Sequence, residues 1–154
     1  MKKLLLFLFI TGSLYAGPFR VDFEITSDYE STIGYGGARR NGIHKGIDII
    51  PVSYDWIIFP ILPGTVQEIG IDPVYGKYVI VQHEDGLFSL YAHGSIIYYS
   101  AAGDVGTNTP IMRMGNSGYS DGSHLHLEVY RIVEGEKVNE DPKKYIMESS
   151  LVEG

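Results

Sequence analysis

Apolar residues along this chain come in short runs, mostly β-branched or aromatic, with glycine-rich turns between them. No amphipathic helical pattern extends beyond a turn or two. Such runs predict a mainly β chain folded as an antiparallel sandwich or barrel-like sheet, with little helix. The clearest hairpin runs from Lys77 to His83, turns at Glu84-Asp85-Gly86, and returns from Leu87 to His93. Asp-Gly between alternating apolar residues is a strong hairpin signal. In the returning strand Ser89, Tyr91 and His93 share one face, and Leu90 and Ala92 the other. A further strand is expected from Ser123 to Arg131. There His124, His126, Glu128 and Tyr130 point one way, while Leu125, Leu127 and Val129 point into the core. The tail, Pro142 to Met147, is the one helical expectation, capped by Asp141 with proline at its first position. Glycine-rich loops, Gly34 to Gly42 and Gly115 to Gly122, run up to histidine-bearing segments, and loops beside a rigid sheet are where sites are usually built.

Composition narrows the picture. The chain has 154 residues. Residues 1–16 read as a secretory signal: Lys2 and Lys3, an apolar stretch from Leu4 to Ile10, and a cleavage site after Ala16, although Leu14 stands where a smaller residue is usual. The apolar stretch is too short to span a bilayer, which takes about 20 residues. Residues 17–33 form an N-terminal segment that packs across a groove or makes an edge strand, and 34–154 the main domain. No transmembrane span remains after signal removal. A chain this short is expected to carry no separate binding module or long inhibitory propeptide. The formal charge of −7 becomes more negative without the two signal lysines. It disfavours nucleic acid as a partner, since phosphate contacts need clustered cations, and gives no general attraction to anionic membranes or wall polymers. There is no cysteine, so disulfides and thiolate metal sites are excluded.

The chemistry sits in the histidines. Of five, four fall in three short segments: His44-Lys45-Gly46-Ile47-Asp48, Tyr91-Ala92-His93 and Ser123-His124-Leu125-His126. His124 and His126, two apart on a strand, share one sheet face; a half-exposed polar face would account for them without a ligand. Asp48 lies between Ile47 and Ile49, and a carboxylate in so apolar a strand needs a partner. A metal would serve, as would Arg39 or Arg40. Two histidines and one carboxylate can hold zinc through three protein ligands, leaving a fourth position for water. His93 closes its strand, and an exposed turn histidine is the plain alternative. His83, beside the hairpin turn, reads as structural or solvent-facing. Glu128 shares the histidine face and either steadies a ligand or sits at an edge. Tyr35, Arg39 and Arg40 precede His44 and could touch substrate.

These three motifs, in this order, resemble those of the LytM/lysostaphin-type zinc metallopeptidases, endopeptidases that cut peptide bridges in bacterial peptidoglycan. Pro63-Gly64-Thr65-Val66, Gly103-Asp104-Val105 and Gly115-Asn116-Ser117-Gly118 resemble the family's framework, and the similarity covers Gly34 to Ile146. The resemblance implies zinc held by His44, Asp48 and His126, with His93 and His124 as the catalytic histidines. It implies the duplicated hybrid motif fold, a largely antiparallel domain with zinc at the floor of an open groove. It also implies peptidoglycan peptides as substrate, a location in the periplasm or outside the cell, and regulation by a protein partner or by supply. Gly94 departs from the usual leucine after Tyr-Ala-His, and Asn108-Thr109-Pro110 replaces a glycine-containing turn; both bear on the groove wall rather than the ligands. Two other functions compete: a non-catalytic peptidoglycan-binding or hydrolase-activating domain of the same fold, and a metal carrier. The carrier leaves the two extra histidines unexplained.

Overall fold

The computed structural model describes residues 17–34, 37–38, 42–99 and 102–146. Residues 1–16, where a signal is expected, and Tyr35, Arg39, Arg40 and Met147 lie outside them. The chain starts with β1 (Phe23–Ser27), a small pair β2 (Ile33–Gly34) and β3 (Gly37–Ala38), then β4 (Ile47–Pro51) and β5 (Ile57–Ile58). The central strands follow as β6 (Gly64–Asp72), β7 (Gly76–Gln82) and β8 (Leu87–Ile97). After β9 (Asp104–Val105) and β10 (Met112–Met114), the long hairpin β11 (Leu125–Val133) and β12 (Glu136–Glu140) leads to α1 (Lys143–Ile146). Apart from the β2–β3 pair, these strands form one ten-stranded sheet whose main path runs β1-β4-β11-β8-β7-β6-β9. Its pairings are antiparallel, and it stays open, with β1 and β9 at the ends, instead of closing into a barrel.

The expected hairpin is β7–β8. Asp85 and Gly86 both have positive φ, 57° and 68°, the left-handed geometry that an Asp-Gly turn supplies. The strand does not end at His93, as expected, but continues to Ile97. Lys77 pairs with Gly94 and Val79 with Tyr91, so β8 carries one extra residue between these pairs. His93 has a φ of 63° there. Such a bulge bends the strand and re-aims side chains. Beyond it β8 exchanges partners and pairs with β10. A Cβ at Gly94 would lie 2.2 Å from the Met112 sulfur, so a larger residue cannot follow His93 while Met112 packs there.

Alternation sets the core. Ile47 and Ile49 in β4, Tyr91 in β8, and Leu125, Leu127 and Val129 in β11 are fully buried and belong to one cluster with Phe19, Val79, Val81 and Met112. The opposite face of β11 is also covered: His126, Glu128 and Tyr130 are buried, and Tyr130 joins Leu90 and Ala92 in a second cluster. The half-exposed polar face allowed by the sequence is therefore absent. Leu127 pairs with Ile47 on one side and Tyr91 on the other. Leu127→Ala is expected to lower unfolding free energy by about 2–5 kcal/mol, the range for emptying a buried leucine site, as chemical denaturation would measure.

The N-terminal segment is an edge strand: β1 pairs along β4, and Phe19 is buried in the core. At the other end the Asp141 carboxylate accepts the Lys143 amide at 3.0 Å and starts α1, as the capping pattern predicts. No helix among the described residues is long and apolar enough to cross a membrane.

Candidate functional site

Sheet register brings the site together. His126 of β11 pairs with Asp48 of β4 on one side and Ala92 of β8 on the other. His44 arrives from the loop before β4. That loop lies so close to β11 that a Cβ at Gly46 would stand 2.1 Å from the Leu127 carbonyl oxygen; the glycine is what lets His44 descend over Asp48. His44 Nε2, Asp48 Oδ1 and His126 Nδ1 then meet, at 3.1 Å, 2.9 Å and 3.0 Å from one another.

The outer nitrogens fix the tautomers. His44 Nδ1 donates to the Asp28 carbonyl at 2.8 Å, and His126 Nε2 donates to Glu128 Oε1 at 3.0 Å. Each imidazole thus spends a hydrogen outward and turns the other nitrogen inward. Two imidazole lone pairs and a carboxylate oxygen converge, an arrangement that repels itself unless a cation or a proton sits among them. The electrostatics agree. Burial pushes the His126 imidazole down, yet its hydrogen bonds to Asp48 and Glu128 overcome this and raise it to about 9. Burial likewise favours a neutral Asp48, but His126 and His44 hold its carboxyl far below the usual range. A divalent metal would displace that proton. The three atoms form a possible metal-holding group. Ligands at zinc distances of about 2.0–2.1 Å in a tetrahedron lie roughly 3.3 Å apart, close to the separations here. Two imidazole nitrogens and one carboxylate oxygen are a donor set that zinc accepts.

His124 and His93 stand beside this triad. His124 Nε2 is 3.6 Å from Asp48 Oδ1, and its Nδ1 donates to the Gly122 carbonyl at 2.8 Å. His93 Nδ1 donates to the Ser117 carbonyl at 2.8 Å. The two rings are 4.8 Å apart, and His93 is 5.9 Å from His126. Ser117 is pinned in turn: its hydroxyl donates to the Gly94 carbonyl at 2.6 Å and accepts the Lys77 amide at 3.0 Å. The loop that follows β10 and the bulge in β8 are thus locked to each other, and together they aim His93. Burial and the neighbouring His124 push His93 down to about 4, so it rests neutral with Nε2 as an acceptor. Both imidazoles thus have Nδ1 committed to a backbone carbonyl beside the metal-holding group, and buried His93 is no exposed turn residue.

The remaining expectations separate. His83 is structural but buried, not solvent-facing. Its Nδ1 donates to the Pro63 carbonyl at 2.8 Å and its Nε2 meets the Ser89 hydroxyl at 2.7 Å. Ser89 in turn meets Tyr91, whose hydroxyl accepts the Ile61 amide. Burial keeps His83 neutral by pushing it down. Glu128 is no edge carboxylate: it is 1% exposed. Burial would raise it, but His126 and Lys137 hold it at about 2. Two participants are absent from the sequence reading. Tyr75 donates its hydroxyl to Glu128 Oε1 at 2.9 Å and stacks beside the His126 ring at 6.1 Å. The N-terminal segment wraps His44, since Glu30 donates its amide to the His44 carbonyl and His44 donates its own to the Ser31 carbonyl. Only the sequence pattern of a turn, Asp72 accepting the amides of Val74 and Tyr75, could have drawn attention to Tyr75.

Comparison with known proteins adds the following. The sequence pattern of "Peptidase family M23" matches residues 42–140. Peptidoglycan DD-endopeptidase ShyA of Vibrio cholerae is 28% identical over 135 residues, covering 87% of this chain and 30% of that protein. Stage II sporulation protein Q of Bacillus subtilis is 34% identical over 90 residues, covering 56% of this chain and 32% of that protein. The chain thus spans about a third of the length of the curated relatives it matches. Among solved structures, a variant of the catalytic domain of the prophage-encoded M23 protein EnpA from Enterococcus faecalis aligns with a TM-score of 0.65 at 28% identity, covering 81% of this chain and 94% of that one.

Proposed function

The chain belongs to Peptidase family M23, and from that premise we propose that it is a zinc-dependent endopeptidase cutting cross-links or stem peptides of bacterial peptidoglycan. One observation carries the reading: three inward acceptors from His44, Asp48 and His126 meet within about one bond length of a common point, beside two histidines whose outer nitrogens are already committed. A metal carrier needs the first feature only. The likeness to ShyA, a peptidoglycan DD-endopeptidase, supports peptide bonds of the cell wall as substrate, and the likeness to the EnpA catalytic domain supports catalysis.

In this reading His44, Asp48 and His126 would hold zinc, which would supply a Lewis acid able to polarise a carbonyl and activate water near neutral pH. The chain's own residues do the rest. The Asp28 carbonyl and Glu128 orient the two imidazole ligands. His93 and His124, each with a proton fixed on Nδ1, offer Nε2 to take the proton of the attacking water. The imidazole that takes it becomes a donor at Nε2 and can pass the proton to the leaving amine nitrogen; the other lies close enough to steady charge developing on the carbonyl oxygen. Export through residues 1–16 and action in the periplasm or outside the cell complete the proposal, with 17–33 as an N-terminal segment that precedes the 34–154 domain.

A second reading has one observation in its favour. The SpoIIQ–SpoIIIAH pore forming complex contains a chain that aligns here with a TM-score of 0.68 at 26% identity, covering 86% of this chain and 90% of that one. A protein of this fold can thus serve by binding a partner, and a wall-binding or hydrolase-activating role follows the same logic.

Incubation of purified protein with peptidoglycan, with and without chelator, followed by mass spectrometry, separates the two. Chelator-sensitive release of cut peptides is expected, and the products identify the bond. Intact peptidoglycan from folded, zinc-loaded protein would overturn the enzymatic reading in favour of the binding one.

A further inference from the structure

Glu128 sits two residues beyond His126 on β11 and is almost fully buried. Oε1 accepts both His126 Nε2–H at 3.0 Å and the Tyr75 hydroxyl at 2.9 Å. Oε2 accepts the Lys137 ammonium from β12 and the Asn139 side-chain amide at 3.2 Å. Lys137 is itself set over the Tyr130 ring at 4.3 Å. Asn139 also donates to the Lys45 carbonyl at 2.9 Å and accepts the Tyr29 hydroxyl on its own carbonyl at 3.0 Å. An ion pair serving stability alone needs only Lys137. Here the oxygen that faces the imidazole is steadied by the Tyr75 hydroxyl as well, and β12, the β6–β7 turn and the N-terminal segment all converge to hold the carboxylate still.

We propose that Glu128 is a positioning residue of the metal centre, fixing His126 so that Nε2 carries the hydrogen and Nδ1 faces the metal. The inference rests on the zinc reading of the site. Glutamine at this position fails for a specific reason. Its oxygen can accept from His126 or from Lys137, but its NH2 then faces the remaining donor, because an amide nitrogen accepts nothing. Aspartate keeps the charge but withdraws the carboxylate from the imidazole by one methylene.

The test measures zinc affinity by chelator competition for the wild type, Glu128→Gln and Glu128→Asp, with the His126 ring protons located by nitrogen-15 NMR on the zinc-loaded proteins. Both variants are expected to bind zinc about tenfold to a hundredfold more weakly, the range for loss of a partner that orients a ligand. The Nε2 proton resonance is expected to shift or vanish in the glutamine variant, while circular dichroism of the metal-free proteins stays native. Should the glutamine variant not fold, the aspartate variant decides by the same affinities. Affinities within twofold of wild type and an unchanged His126 pattern would overturn the role of Glu128 alone. A wild type that binds no zinc would overturn it together with the site reading beneath it.

Discussion

Asp48→Ala protein is expected to fold, to retain no zinc after dialysis, and to lose at least about 4 kcal/mol of transition-state stabilisation, roughly a thousandfold in rate. Asp48 is the anion around which the two imidazoles are arranged, and its Oδ1 lies within 3.1 Å of both inward nitrogens. Without it the site keeps two neutral donors and no charge to offset a divalent cation. Folding should survive, because the core beneath is formed by Ile47 and Ile49, which point away from the site. Asp48→Asn sharpens the test. The amide has the same shape, so zinc loss there assigns the effect to charge and donor strength, not to a cavity. Zinc content by elemental analysis and cleavage by product mass spectrometry give the two readings, and an alanine variant that keeps stoichiometric zinc would remove Asp48 from the ligand set.

His93→Ala and His124→Ala are expected to behave differently: zinc retained with affinity within a few fold of wild type, turnover reduced about 10²- to 10⁴-fold, as for loss of a positioned proton-transfer group. Neither ring holds a ligand in place. The outer nitrogens of His44 and His126 are held by the Asp28 carbonyl and by Glu128, which these substitutions leave alone. His93 is the more demanding of the pair to replace, because its backbone sits at positive φ within the bulge, so circular dichroism must accompany its kinetics. Full turnover in either variant would sink the catalytic assignment of that histidine. Zinc lost from the His124 variant would show that its Nε2, 3.6 Å from Asp48, belongs with the ligands instead.

Much of this site is legible in the sequence because strand periodicity is simple. A spacing of two puts His124, just ahead of β11, on the same side as His126, and a carboxylate between isoleucines announces that Asp48 has a partner. The Asp-Gly hairpin is equally plain. What escapes is whatever depends on backbone or on distant pairing. The acceptor for His44 is the carbonyl of Asp28, and a carbonyl has no side chain to signal it. Glu128 reads equally as a support for a ligand or as an edge carboxylate until Tyr75, far away in sequence, and Lys137, across the β11–β12 hairpin, are seen closing around it. The continuation of β8 past His93 turns on a one-residue bulge, which no alternation rule predicts. The open sheet escapes as well, since strand patterns do not say whether the first and last strands meet.

The wrapping of His44 by residues 28–31 separates what is inherited as a recognisable pattern from what operates as a unit. The match to the family begins at residue 42, yet both backbone groups of His44 and its outer ring nitrogen are satisfied from upstream of that point. Main-chain amides and carbonyls are offered by every residue type, save the amide that proline lacks, so these contacts to His44 leave no side-chain motif at 28–31. A recombinant fragment trimmed to the recognisable span would begin just before His44 and leave it unbraced. A protease cutting between Ser31 and Gly42 would sever the covalent link between the brace and the ligand, leaving every motif intact.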